Sequence, residues 1–242
     1  MTHLPDRAFR YCASLVSVAF PSSLVSIGDG AFSGCSSLVS VTFPASLTSI
    51  GSHAFERCSA LTTVTFPASL ASMGGCAFER CSALARVTLP AGLTSIGGYA
   101  FFRCSSLASV AFPAGLTSIG GGAFRDCPLT RVTFPAGLTS VANLAFRGCS
   151  SLTRVTVPDT ATISPNAFPP ATTVLRLPPA SMRDLQRWCE AVDGALAYKR
   201  CRPLLYGWLE RAQTRLGSYG PDGAARQRDR EEFEGDFGLL VD

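Results

Sequence analysis

One spacing governs what this chain can fold into. The dipeptide Ala-Phe recurs with its phenylalanine at Phe9, Phe32, Phe55, Phe78, Phe101 and Phe124, each step being 23 residues, and then at Phe146 and Phe168 with steps of 22. A fixed period of this length marks a repeat architecture, in which each unit is one supersecondary element that stacks on the next. The unit reads Ala-Phe-x-x-Cys-x-x-Leu-x-x-Val-x-Phe-Pro-x-x-Leu-x-x-Ile-Gly, and residues 54–73 give a full copy. The first shortened step falls where Cys127-Pro128-Leu129 replaces Cys-Ser-Ser-Leu.

Each part of the unit has a physical role. Leu61, Val64 and Phe66 end in the alternation of a short strand. Pro67 stops the pairing, because it has no N–H to donate. Leu70 and Met73 anchor a second extended piece. Gly74 is read as a place for positive φ, after which Ala77-Phe78 to Cys81 brings the chain back as a turn or short helix. One unit cannot bury its own apolar face, whereas stacked units bury each other's. Eight units at the inter-strand spacing predict a core of roughly 40 Å along the axis.

The order Ile50, Gly51, Ala54, Phe55, Cys58 and Leu61 resembles the signature of the BspA-like leucine-rich repeats, and the likeness runs from about residue 4 to residue 178. The resemblance implies a leucine-rich-repeat solenoid: curved, with short parallel β-strands, used for attachment and protein binding and often placed on cell surfaces. It implies no catalytic residues, because the family signature contains framework positions alone.

The domain organisation follows. Residues 1–178 form the solenoid, 179–217 a helical C-terminal cap, and 218–242 a disordered tail. Ser181-x-x-Asp184 resembles a capping box. Leu185, Trp188, Cys189 and Val192 then fall on one helical face before Gly194. Leu205, Trp208, Leu209, Ala212 and Leu216 suggest a second helix. The helices either pack on the last coil or bind another protein. The tail carries Gly220-Pro221-Asp222-Gly223 and the charged run 226–234, which lack an apolar pattern. At the other end Leu4 occupies the place of Ile27 and Ile50, so the sequence starts inside a repeat.

Composition excludes several function classes. At 47% hydrophobic and 16% charged the chain can build a large core, and its net charge of +4 is too mild to indicate nucleic acid or a membrane surface. No apolar run is long enough to span a membrane, and the segment 12–20 is a repeat strand rather than a leader. The sequence therefore reads as unexported, with intracellular placement slightly favoured and the compartment otherwise open.

Seven of the ten cysteines share one repeat position: Cys12, Cys35, Cys58, Cys81, Cys104, Cys127 and Cys149. Equivalent side chains point the same way, which suits a disulfide poorly, so the column reads as small buried hydrophobes. Cys76, Cys189 and Cys201 lie off the column and read as the more reactive thiols. With His3 and His53 the only histidines and no Cys-x-x-Cys pair, no metal site and no cofactor is expected. No nucleophile elbow or phosphate loop appears either, and the chain reads as a non-enzyme. Arg57, Arg80 and Arg103, beside Glu56 and Glu79, read as surface pairs between neighbouring coils.

The candidate binding surface is the pair of outward rows flanking the strand valines. One runs Ser17, Ser40, Thr63, Arg86, Ser109, Arg131 and Arg154, with Arg176 at its end. The other runs Ala19, Thr42, Thr65, Thr88, Ala111, Thr133 and Thr156. Thr42, Thr65, Arg86, Thr88, Arg131, Thr133, Arg154 and Thr156 are the candidate contacts. The arginine end suits an acidic protein or peptide, although threonine is also simply a good strand residue. The leading expectation is a non-catalytic protein-binding scaffold. The alternatives are an adhesive or structural unit that self-associates end to end through uncapped coils, and a cell-surface, antigen-like attachment protein. Neither nucleic-acid binding nor membrane insertion is expected.

Overall fold

The computed structural model describes residues 2–192. The coils stack in register, and two parallel ladders run along the stack. The first ladder joins β1 (His3–Leu4), β2 (Ser26–Ile27), β4 (Ser49–Ile50) and β6 (Ser72–Met73), and continues as β8 (Ser95–Ile96), β10 (Ser118–Ile119), β11 (Ser140–Val141) and β13 (Thr162–Ile163). Its register is the repeat itself: Leu4 lies opposite Ile27, Ile27 opposite Ile50, and Ile50 opposite Met73. The first coil therefore does enter at the Leu4 position.

The second ladder carries the Leu-x-x-Val segments. It comprises β3 (Ser40–Thr42) with β5 (Thr63–Thr65), β7 (Arg86–Thr88) with β9 (Ser109–Ala111), and β12 (Arg154–Pro158) with β14 (Thr173–Leu177). The bridge Ser17–Ser40 extends it back to the first coil, and the bridge Ser109–Arg131 extends it forward to the coil after β9. The central valines Val41, Val64, Val87 and Val110 are buried, while most of the residues beside them are exposed.

Backbone hydrogen bonds also tie the returns together. The amides of Phe32, Phe55 and Phe78 donate to the carbonyls of Ala54, Ala77 and Ala100, each one coil further on, at 2.7–2.8 Å. These returns are turns, not short helices. The returns up to residue 148 each carry two left-handed residues, for example His53 (φ 57°) with Arg57 (φ 59°) and Cys76 (φ 56°) with Arg80 (φ 58°). Other coils place glycine there, as at Gly30, Gly34, Gly122 and Gly148.

Gly74 is not among the left-handed residues, so its expected role is corrected. A Cβ on Gly74 would lie 2.5 Å from the Ser52 nitrogen and 2.7 Å from the Gly51 carbonyl carbon. Gly97 and Gly120 meet the preceding coil in the same way. Glycine here permits close approach of stacked backbones, not an unusual torsion.

The core is two phenylalanine columns. Phe32, Phe55, Phe78, Phe101, Phe124 and Phe146 are fully buried and stack with centroids 5.0–5.5 Å apart. The strand phenylalanines meet them edge-on: Phe43 against Phe55, Phe66 against Phe78, and Phe134 against Phe146. Both are favourable aromatic arrangements.

Among the described residues there is one helix, α1 (Pro179–Val192). Proline at the first helical position is pre-set for helical φ and has no N–H to leave unpaired, so the helix starts two residues before Ser181. α1 lies against β12, and Met182 is buried in the core. The expected second helix and the tail fall outside the described residues.

Candidate functional site

The outward strand face forms as its spacing requires. Thr42, Thr65, Arg86 and Thr88 are exposed, and Arg131, Thr133 and Arg154 are half-buried. Register places Arg86 opposite Ser109, and Ser109 opposite Arg131. The row is therefore single-file, with neighbouring coils about 4.8 Å apart.

Two residues depart from it. Thr156 is buried, at 8% exposure, in the strand against which α1 lies, so its expected role as a contact is corrected. Arg176 pairs with Val157, not with Arg154, and its guanidinium donates to the Asp159 and Ala161 carbonyls at 3.3 and 3.0 Å. The last coil has lost the 23-residue step, and with it the row.

Hydroxyl and thiol columns join the coils from within. Ser46 Oγ donates to the Leu24 carbonyl at 2.6 Å and Ser69 Oγ to the Leu47 carbonyl at 2.7 Å. The thiols of Cys58, Cys81 and Cys104 donate to the carbonyls of Phe32, Phe55 and Phe78 at 3.2–3.3 Å. The described cysteines are free thiols. Burial pushes Cys58 and Cys149 up to about 12, and Cys81 well above the ordinary thiol value.

The surface charges of the returns pair differently from expectation. Arg57 meets Glu56 at 3.3 Å and Arg80 meets Glu79 at 3.6 Å, each within its own coil, and Arg103 alone of the three reaches the next coil, to Asp126 at 3.4 Å. Cys76, read as one of the more reactive thiols, is pushed up to about 12 by burial and by Glu79 and Glu56, so little thiolate forms near neutrality. For Cys189 only the backbone falls within the description, and Cys201 lies outside it.

The sequence offered no metal-ligand spacing, yet the stack brings His53, Cys76 and Glu79 together, with one ligand atom from each within 4.8 Å of the others. The signal that could have found them is the repeat itself, because residues 23 apart are neighbours. Beside them a depression of about 280 Å³ is lined by Arg7, Arg10, Asp29, Ser33, His53 and Glu56 among others. No helix among the described residues is long and apolar enough to cross a membrane.

Parallel strands at every coil, a buried Leu/Val/Phe core and in-register stacking define a leucine-rich-repeat solenoid. The BspA type leucine-rich repeat region matches in six copies over residues 2–127 and 77–176, and the chain belongs to that family. The crystal structure of a T. pallidum leucine-rich repeat protein is 32% identical, covering 74% of this chain and 85% of that one, with a TM-score of 0.58. A leucine-rich repeat protein from Eubacterium ventriosum shares the fold at 21% identity and a TM-score of 0.54, over 74% of this chain and 45% of that one. No curated protein matches.

Proposed function

We propose that this repeat scaffold is a non-catalytic recognition module that binds an acidic protein segment along the outward face of its second strand ladder. The observation that carries the reading is the register of Arg86, Ser109 and Arg131 on successive coils. An extended acidic segment laid across the coils would meet forked guanidinium donors at alternate steps. Thr42, Thr65, Thr88 and Thr133 add hydroxyl partners beside the row, and Arg154 continues it.

The test is fluorescence anisotropy with a labelled glutamate-rich peptide and the full chain. At about 1 kcal/mol for each partly exposed charge contact, Arg86→Ala, Arg131→Ala and Arg154→Ala together weaken binding by up to about a hundredfold. Unchanged affinity in the triple variant defeats the reading.

A further inference from the structure

We propose that His53, Cys76 and Glu79 form a zinc-binding site on the return face of the solenoid, with Glu56 orienting the histidine. The repeat frame places these residues. His53 and Cys76 occupy the same position of consecutive coils, and the His53 amide donates to the Gly75 carbonyl at 2.9 Å, which locks the two coils side by side. Glu56 and Glu79 each follow three residues later, so two adjacent coils contribute a His/Glu pair and a Cys/Glu pair.

The ligand atoms of His53, Cys76 and Glu79 lie within 4.8 Å of one another. Nitrogen, sulfur and carboxylate oxygen are the donors zinc takes in four-coordinate sites. His53 Nδ1 lies 3.1 Å from Glu56 Oε2, and a carboxylate can only accept, so Nδ1 carries the proton. In the tautomer that donates from Nδ1, Nε2 keeps the lone pair a metal needs, and a carboxylate on Nδ1 is the arrangement that orients a metal-bound imidazole. Glu79 Oε1 is 3.6 Å from Arg80 Nε, and its other oxygen can serve as ligand.

His53 (φ 57°) and Cys76 (φ 56°) sit at the left-handed turn position of the repeat, which Arg7, Tyr99 and Leu144 also occupy and where Gly30 and Gly122 serve in other coils, so glycine is compatible with the turn.

The Cys76 thiol gives its proton to buffer, and the thiolate lone pair forms the zinc–sulfur bond. Neutral His53 and ionised Glu79 supply the next two donors, and water takes the fourth position. Thiolate and carboxylate neutralise the dication.

The experiment titrates the reduced full chain with cobalt(II), then displaces it with zinc. The expected result is saturable binding with a thiolate-to-cobalt charge-transfer band and the strong visible bands of a tetrahedral site. Cys76→Gly and His53→Gly install the residue that other coils already use there, so both are expected to fold, which circular dichroism checks. Cys76→Gly abolishes the charge-transfer band, and His53→Gly and Glu79→Gln weaken binding. Glu56→Gln, a change at a positioning residue, weakens it about tenfold or more while keeping the band. A chain with Cys12, Cys189 and Cys201 changed to serine keeps the band. Absence of a cobalt spectrum in the parent chain, its persistence in folded Cys76→Gly, or its loss in the triple-serine chain overturns the proposal.

Discussion

Phe55 and Phe78 stack face to face, with centroids 5.2 Å apart and planes within 4°. They are 23 residues apart in sequence and adjacent in space, and each is fully buried. A repeat stack is held by interfaces between nearest neighbours, so a hole at one phenylalanine weakens two interfaces at once. Phe78→Ala is expected to cost about 3–5 kcal/mol in urea unfolding. Phe9→Ala should cost clearly less, because Phe9 is 38% exposed and stacks on Phe32 alone within its column. Equal losses at the two sites would show that the column is not the main source of stability.

The thiol column predicts alkaline lability. The ordinary thiol value is 9.0, and burial lifts Cys58 and Cys149 to about 12, with Cys81 higher still. Above pH 9 the unfolded chain loses these protons while the folded chain keeps them. The folded state then binds more protons, so stability falls as pH rises. The contribution is fully present below pH 9 and is lost towards pH 12. Each such thiol steepens the fall by up to about 1.4 kcal/mol per pH unit. Unfolding by urea at pH values on both sides of 9 measures the slope, and Cys58→Ala should flatten it by about one thiol's share.

The two kinds of turn residue should respond oppositely to substitution. Gly74→Ala puts a methyl group within 2.5 Å of the Ser52 nitrogen, against backbone that cannot turn aside. The expected loss is about 1–3 kcal/mol, as for other overpacked sites. Arg57, at φ 59°, pays the left-handed penalty that Gly34 and Gly148 avoid. Arg57→Gly is expected to stabilise by up to about 1 kcal/mol, since the strain relieved exceeds glycine's entropic cost. Its exposed contact with Glu56 contributes little to set against that gain. Thermal melts of the two variants should move in opposite directions.

These residues also show how far the sequence could be read. Leu4 opposite Ile27, the buried valines and both phenylalanine columns were legible, because burial repeats with the period and the period is printed in the residues. The left-handed positions were not, since arginine, histidine, cysteine and tyrosine share them with glycine. What sets their torsions is hydrogen bonding to the next coil, as where the Arg57 amide meets the Glu79 carbonyl at 2.7 Å. His53, Cys76 and Glu79 escaped because ligand spacings are usually sought within a few residues, whereas here neighbours are one coil apart. Arg176 and Thr156 were misplaced where the period fails and a helix takes over the packing.

That last packing can be tested directly. Met182 is 1% exposed and belongs to the core, and α1 lies against β12, which pairs with β14 through five residues. If α1 covers the end of the stack, loosening it should act on these strands first, because stability in repeat arrays is local to each interface. Met182→Ala removes buried volume and is expected to cost about 2–5 kcal/mol. Met182→Asp adds an unpaired buried charge, which the chain avoids by releasing the helix. Amide hydrogen exchange should then quicken in β12 and β14 while β3 and β5 keep their protection. Uniform loss along the whole ladder would mean that α1 stabilises the stack globally rather than covering its end, and unchanged protection in β12 and β14 would mean that it covers nothing.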